Sequence, residues 1–108
     1  MHDDCRKIIG FPLEDAEMSG GIYAPTIRYK DGVFFMTTTN VSTGGNFIVH
    51  TSDIYGKWSE PAYIDQGGID PSLFWDDDGT CYFVSNGLDK NNKVSIYLCT
   101  LDPFTGKK

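Results

Sequence analysis

Asp70 stands in Gln66-Gly67-Gly68-Ile69-Asp70-Pro71-Ser72, and this setting makes it the leading candidate for acid–base chemistry. Glycines let backbone pass close to a ligand, and Pro71 fixes the chain direction after the carboxylate. The same residues have a second reading, in which Asp70 caps a turn through Asx hydrogen bonds. Asp76-Asp77-Asp78-Gly79 invites comparison with a calcium loop. It lacks ligands at alternating positions over about twelve residues and a closing Glu, so it reads as a solvated hairpin turn. Asp31-Gly32 reads the same way. His2 and His50 are the only histidines, and His50 sits in a strand pattern with no ligand partner nearby. No Gly-x-Ser-x-Gly elbow and no phosphate-binding glycine loop is present. Cys5, Cys81 and Cys99 are widely spaced and form no CxxC pair. They read as free thiols in a reducing compartment, with Cys81 and Cys99 as small core residues of strands. No metal site and no cofactor is therefore expected. Tyr23, Phe47 and Trp58 could stack on a sugar ring or fill a core. Tyr23 stands out because it directly precedes Ala24-Pro25.

The elements around Asp70 show a repeat. Ala24-Pro25-Thr26-Ile27-Arg28-Tyr29-Lys30-Asp31-Gly32 returns, altered, as Asp70-Pro71-Ser72-Leu73-Phe74-Trp75-Asp76-Asp77-Asp78-Gly79. Each copy runs into an aromatic, β-rich segment. Repeats of roughly 40 to 50 residues that carry several strands point to propeller blades. Where the first copy has Ala24, the second has Asp70. A carboxylate at the start of an inner strand points towards the central channel.

Helix signals are nearly absent; one turn over residues 12–18 is the exception. Strands are expected at 26–29, 33–39, 46–52, 62–64, 72–75, 80–85 and 94–100, with turns at 30–32, 76–79 and 88–93. The fold class is all-β, antiparallel blades of a propeller that is incomplete in this chain. Residues 1–22 read as a connection or the end of a preceding blade, 23–68 as one blade, and 69–108 as most of a second. A propeller closes with about four to eight blades. Two leave faces and edges without partners, so the chain is expected to belong to a larger protein or to self-associate.

The bulk numbers exclude several functions. The chain has 108 residues, 40% of them apolar, which suits one packed domain. Net charge is −6 with no basic cluster, so nucleic acid is not an expected partner. No apolar run approaches the roughly 20 residues that span a bilayer, and no membrane partner is expected. The start, Met1-His2-Asp3-Asp4, is acidic where a signal peptide would be basic. A cytoplasmic location is the resulting expectation.

Taken together, Gly20-Gly21-Ile22-Tyr23-Ala24-Pro25-Thr26-Ile27-Arg28-Tyr29, Thr38-Thr39-Asn40-Val41, Gly45-Asn46-Phe47, Asp65-Gln66-Gly67-Gly68-Ile69-Asp70-Pro71-Ser72-Leu73-Phe74 and Asp77-Asp78-Gly79 resemble family 43 glycoside hydrolases. The resemblance is closest to the β-xylosidase and α-L-arabinofuranosidase branch and covers about residues 20 to 100. It implies a five-bladed propeller and an inverting glycosidase that uses three acidic residues. Asp70 matches the central Asp that orients and tunes the general acid. Tyr23 falls at the aromatic position beside the sugar pocket, which is Trp in many xylosidases. Ala24 and Ile69 are its implied neighbours at the substrate. The implied substrate is a xylo- or arabino-oligosaccharide.

The family's general base lies in an early Asp-Pro-Ser-type motif, and no such motif precedes Gly20. Asp3, Asp4 and Asp15 lack that context. The family's Glu acid belongs to a later blade, and Glu14, Glu17 and Glu60 sit in no comparable motif. Inversion needs acid and base on opposite faces of the sugar, roughly 6.5 to 9.5 Å apart. The chain is thus expected to hold one of three catalytic carboxylates and to be inactive alone. The alternative is a non-catalytic sugar-binding or assembly module built from blades.

Overall fold

A computed structural model describes residues 24–42 and 45–108. Tyr23, the turn expected over 12–18 and the whole of 1–22 lie outside the described residues. The described residues form antiparallel strands without a helix. The strands are β1 (Thr26–Lys30), β2 (Val33–Asn40), β3 (Gly45–Thr51), β4 (Ala62–Tyr63), β5 (Ile69–Trp75), β6 (Cys81–Leu88) and β7 (Val94–Thr100). They make two meanders, β1-β2-β3-β4 and β5-β6-β7. The all-β, antiparallel expectation is met.

Turn chemistry sets the hairpins. Asp31 and Gly32 both take positive φ, 52° and 86°, the backbone of a two-residue turn whose twist matches its strands. Lys30 therefore pairs with Val33. In the second sheet, the Asp76 N–H donates to Thr80 O at 2.9 Å and the Gly79 N–H to Asp76 O at 3.0 Å. Asp89 closes the last hairpin, its carboxylate accepting from the N–H groups of Asn91 and Lys93.

The two sheets stack through β1 and β2 against β5. The core between them holds Phe35, Ile48, Ile64, Leu73, Cys81, Phe83 and Leu101. Period-2 alternation aims these residues inward. Leu73 pairs with Phe83 across β5 and β6, and Thr37 with Ile48 across β2 and β3. A second cluster, Met36, Phe47, Val49 and Trp58, fills the other face of the first sheet. The outer face of the second sheet is different. It exposes Phe74 (46%), Leu98 (57%), Ile96 (69%) and Val94 (76%). Apolar residues clustered on one exposed sheet face mark a surface that packs against something else.

Eight strand ends differ from the sequence expectation, six of them by one residue. β5 begins at Ile69, not Ser72, because Ile69 pairs with Asn86. For the same reason β6 continues past Ser85 to Leu88, where Leu88 pairs with Val94. β4 stops at Tyr63, although the Ile64 N–H still donates to Asn46 O at 3.0 Å.

Candidate functional site

Asp70 lies at a break in the β5–β6 ladder. Register shifts between Ile69 and Ser72, and Asp70 itself has φ 52°. Bulges of this kind re-aim a side chain, and Asp tolerates the left-handed region better than most residues. Pro71, next in line, is fully buried and anchors the strand while Asp70 stays exposed. The turn-cap reading of Asp70 makes a clear demand, which is that its carboxylate accept a nearby N–H. The carboxylates of Asp53, Asp76, Asp78, Asp89 and Asp102 all do so. Among the described residues, no donor reaches the Asp70 carboxylate, which is left open to solvent.

The segment leading to Asp70 is gripped from both sheets. Asn46 Nδ2 on β3 donates to Gln66 O at 2.8 Å and reaches Gly67 O at 3.2 Å and Gly68 O at 3.3 Å. Ser85 Oγ on β6 donates to Gly67 O at 2.7 Å. Gln66 Nε2 donates back to Ser85 Oγ at 3.1 Å. Gly68 has φ 93°, and a Cβ there would collide with the carbonyl oxygen of Asn86. The close approach at Gly68 is therefore to β6, whereas the sequence reading assigned it to a ligand; a Cβ at Gly67 would meet open space. Asn46 and Ser85 were missed as site-supporting residues. The available signal was a polar residue at an inward position between Gly45 and Phe47.

Ile69 lines a shallow pocket of about 380 Å³ with Thr39, Asn40, Val41, Ser42, Gly45 and Gly68. Ala24 is exposed just before β1, whose start lies at the same end of the sheet as the close of β2. The register thus places Ala24, Ile69 and Asp70 at one end of the stacked sheets. Arg28 on β1 reaches Ser72 on β5, two residues beyond Asp70, with Nη2 3.3 Å from Oγ.

A larger open groove of about 730 Å³ lies at the opposite end, between Lys30, Trp75, Leu101 and Phe104. It holds none of the residues expected at the site. His50 sits there against the Phe104 ring at 4.9 Å, which makes it a packing residue at a strand end. The 76–79 segment is the exposed turn expected. The Thr80 N–H bonded to the Asp78 carboxylate draws its pKa below the ordinary value. No group of metal-ligating side chains occurs among the described residues. Cys81 and Cys99 are free, and burial pushes the Cys81 thiol up to about 11.

The sequence model of the glycosyl hydrolases family 43 matches residues 8–108. The chain belongs to that family. It is 51% identical over 94 residues to a xylosidase/arabinosidase of Butyrivibrio fibrisolvens, covering 80% of this chain and 18% of that protein. It is 38% identical over 112 residues to the non-reducing end α-L-arabinofuranosidase BoGH43B of Bacteroides ovatus, covering 93% of this chain and 20% of that protein. The fold superposes on the crystal structure of xylan β-1,4-xylosidase from Bacillus halodurans C-125 with a TM-score of 0.73 at 34% identity. That match covers 91% of this chain and 21% of the xylosidase. The family 43 chain thus spans about a fifth of the length of these relatives.

Proposed function

We propose that this chain forms two neighbouring blades of a five-bladed family 43 propeller, an inverting glycosidase that acts on xylo- or arabino-oligosaccharides. Residues 23–68 make one blade and 69–108 most of the next. Asp70 is the carboxylate that orients the general acid and keeps it protonated. A carboxylate held beside an acid raises the acid's pKa by like-charge repulsion, so that it can protonate the leaving oxygen near neutral pH. A base on the opposite face of the sugar activates water. Acid and base come from parts of the propeller beyond these two blades, and the chain alone is inactive. Tyr23, Ala24 and Ile69 border the sugar.

One observation carries this reading. Asp70 is held at a bulge, in a left-handed backbone conformation, with a carboxylate that caps nothing among the described residues. Such conformations cost of order 1–3 kcal/mol and collect at functional sites. The relatives named as xylosidases and arabinofuranosidases support the substrate class.

The test uses a full-length enzyme that contains this chain. It is expected to release nitrophenol from 4-nitrophenyl β-D-xyloside or α-L-arabinofuranoside. Proton NMR of the first product formed is expected to show the inverted anomer. A retained anomer, or no hydrolysis of either substrate, contradicts the proposal. Sugar binding without turnover supports a non-catalytic module instead.

A further inference from the structure

We propose that Asn46 is a positioning residue for Asp70, its buried amide setting the backbone path that delivers the carboxylate to the site. The proposal rests on the reading of Asp70 as the acid-tuning carboxylate.

Asn46 is 1% exposed and shares its face of β3 with Ile48. An amide buried among apolar side chains is costly unless it is hydrogen-bonded. Asn46 meets that demand in one direction only. Thr39 Oγ1 donates to its Oδ1 at 2.6 Å, which fixes the oxygen end of the amide. The NH₂ end must then face the crossing between the sheets, and its two protons spread over the carbonyls of Gln66, Gly67 and Gly68.

Those carbonyls belong to a segment that has left β4 and has not yet joined β5. They are at most half-buried, and carbonyls outside a ladder take their donors from side chains or water. The first sheet supplies them through Asn46, and the second supplies Ser85 Oγ to Gly67 O. Ile69 then pairs with Asn86, and Asp70 follows directly in its positive-φ bulge. A residue in that conformation persists only where its surroundings over-determine it. The Asn46 amide belongs to the opposite sheet. Removing it loosens the approach to Asp70 without deleting any rung of the β5–β6 ladder.

The test is the pH profile of kcat in the full-length enzyme, with Asp70→Asn as reference. Asp70→Asn removes the like charge beside the acid, so the alkaline limb moves to lower pH. Asn46→Ala and Asn46→Asp are expected to move that limb the same way and to lower kcat roughly 10- to 100-fold, the scale of a displaced catalytic group. KM should change little. Asn46→Asp keeps the size and the Thr39 bond but loses the N–H donors.

If Asp70→Asn leaves the limb in place, the role given to Asp70 fails, and this proposal with it. If Asp70→Asn moves the limb and folded Asn46 variants keep the wild-type profile, Asn46 is only a core residue. Should the Asn46 variants not fold, Thr39→Val serves, because it removes the hydroxyl that orients the amide at nearly constant volume. A smaller shift in the same direction is expected from it, and an unmoved limb overturns the proposal.

Discussion

The Arg28 guanidinium donates to Ser72 Oγ at 3.3 Å and so ties the first strand of one sheet to the first strand of the other. The same guanidinium donates to Ile27 O at 3.0 Å, which holds it along β1. Beside this exposed tie lies the apolar core between the sheets, and the two differ in weight.

Arg28→Ala should lower stability by about 1 kcal/mol or less, the scale of one hydrogen bond exchanged for water. Phe83→Ala removes a fully buried ring from between the sheets. It should cost about 3–5 kcal/mol. Urea unfolding of both variants checks the order. A larger loss for Arg28→Ala would mean that the tie, and not the core, holds the sheets together.

The outer face of the second sheet predicts association. The isolated chain should form dimers or larger species through Phe74, Ile96 and Leu98, which are exposed on that face. Ile96→Lys with Leu98→Glu should shift it towards monomer, as seen by light scattering. A wild-type chain that stays monomeric when concentrated would show that this face needs no partner.

Gly68 and Gly79 make a matched pair. Their φ values are 93° and 88°, so Ala is strained at either position. At Gly79 a Cβ meets open space, whereas at Gly68 it meets the Asn86 carbonyl. Gly68→Ala should therefore be the more destabilising by at least about 1 kcal/mol, within the range for overpacking. Equal melting temperatures would contradict the close contact between Gly68 and β6.

The Cys81 thiol gives a pH prediction. Its pKa is raised from 9.0 to about 11, first by burial, then by Asp102 and Cys99. The folded state keeps this proton when the unfolded state has lost it. The stabilisation is complete below pH 9 and is lost as pH rises through about 11. Alkylation at pH 8 followed by peptide mass spectrometry should label Cys81 slowly until denaturant is added. Fast labelling of Cys81 in the folded chain would contradict its place in the core.

Local chemistry made most of the fold legible. Asp31-Gly32 and the 76–79 turn announce their hairpins within four residues, and β7 matches the expected 94–100 because a β-branched, aromatic and aliphatic run follows the 88–93 turn. The start of β5 was hidden because Pro71 looks like the edge of a strand. Its true beginning depends on Ile69 pairing with Asn86, a long-range contact with no local mark. The site divides in the same way. Asp70 was singled out from its own motif, and Ile69 lines a shallow pocket. The grip of Asn46 on residues 66–68 joins positions about 20 apart, so only the folded sheets display it. Both glycines before Asp70 were read as room for a ligand, but at Gly68 the partner that fills that room is the β6 backbone, whereas Gly67 borders open space.

The central claim is that Asp70 is a catalytic carboxylate and not a turn residue. The most direct measurement is kcat for 4-nitrophenyl β-D-xyloside or α-L-arabinofuranoside, whichever the full-length enzyme prefers, in wild type and Asp70→Ala. The account predicts a fall of about 10²- to 10⁴-fold, the usual scale of an acid–base contribution, in a variant that remains folded. An unchanged kcat would contradict it and leave Asp70 as an exposed residue at a β-bulge.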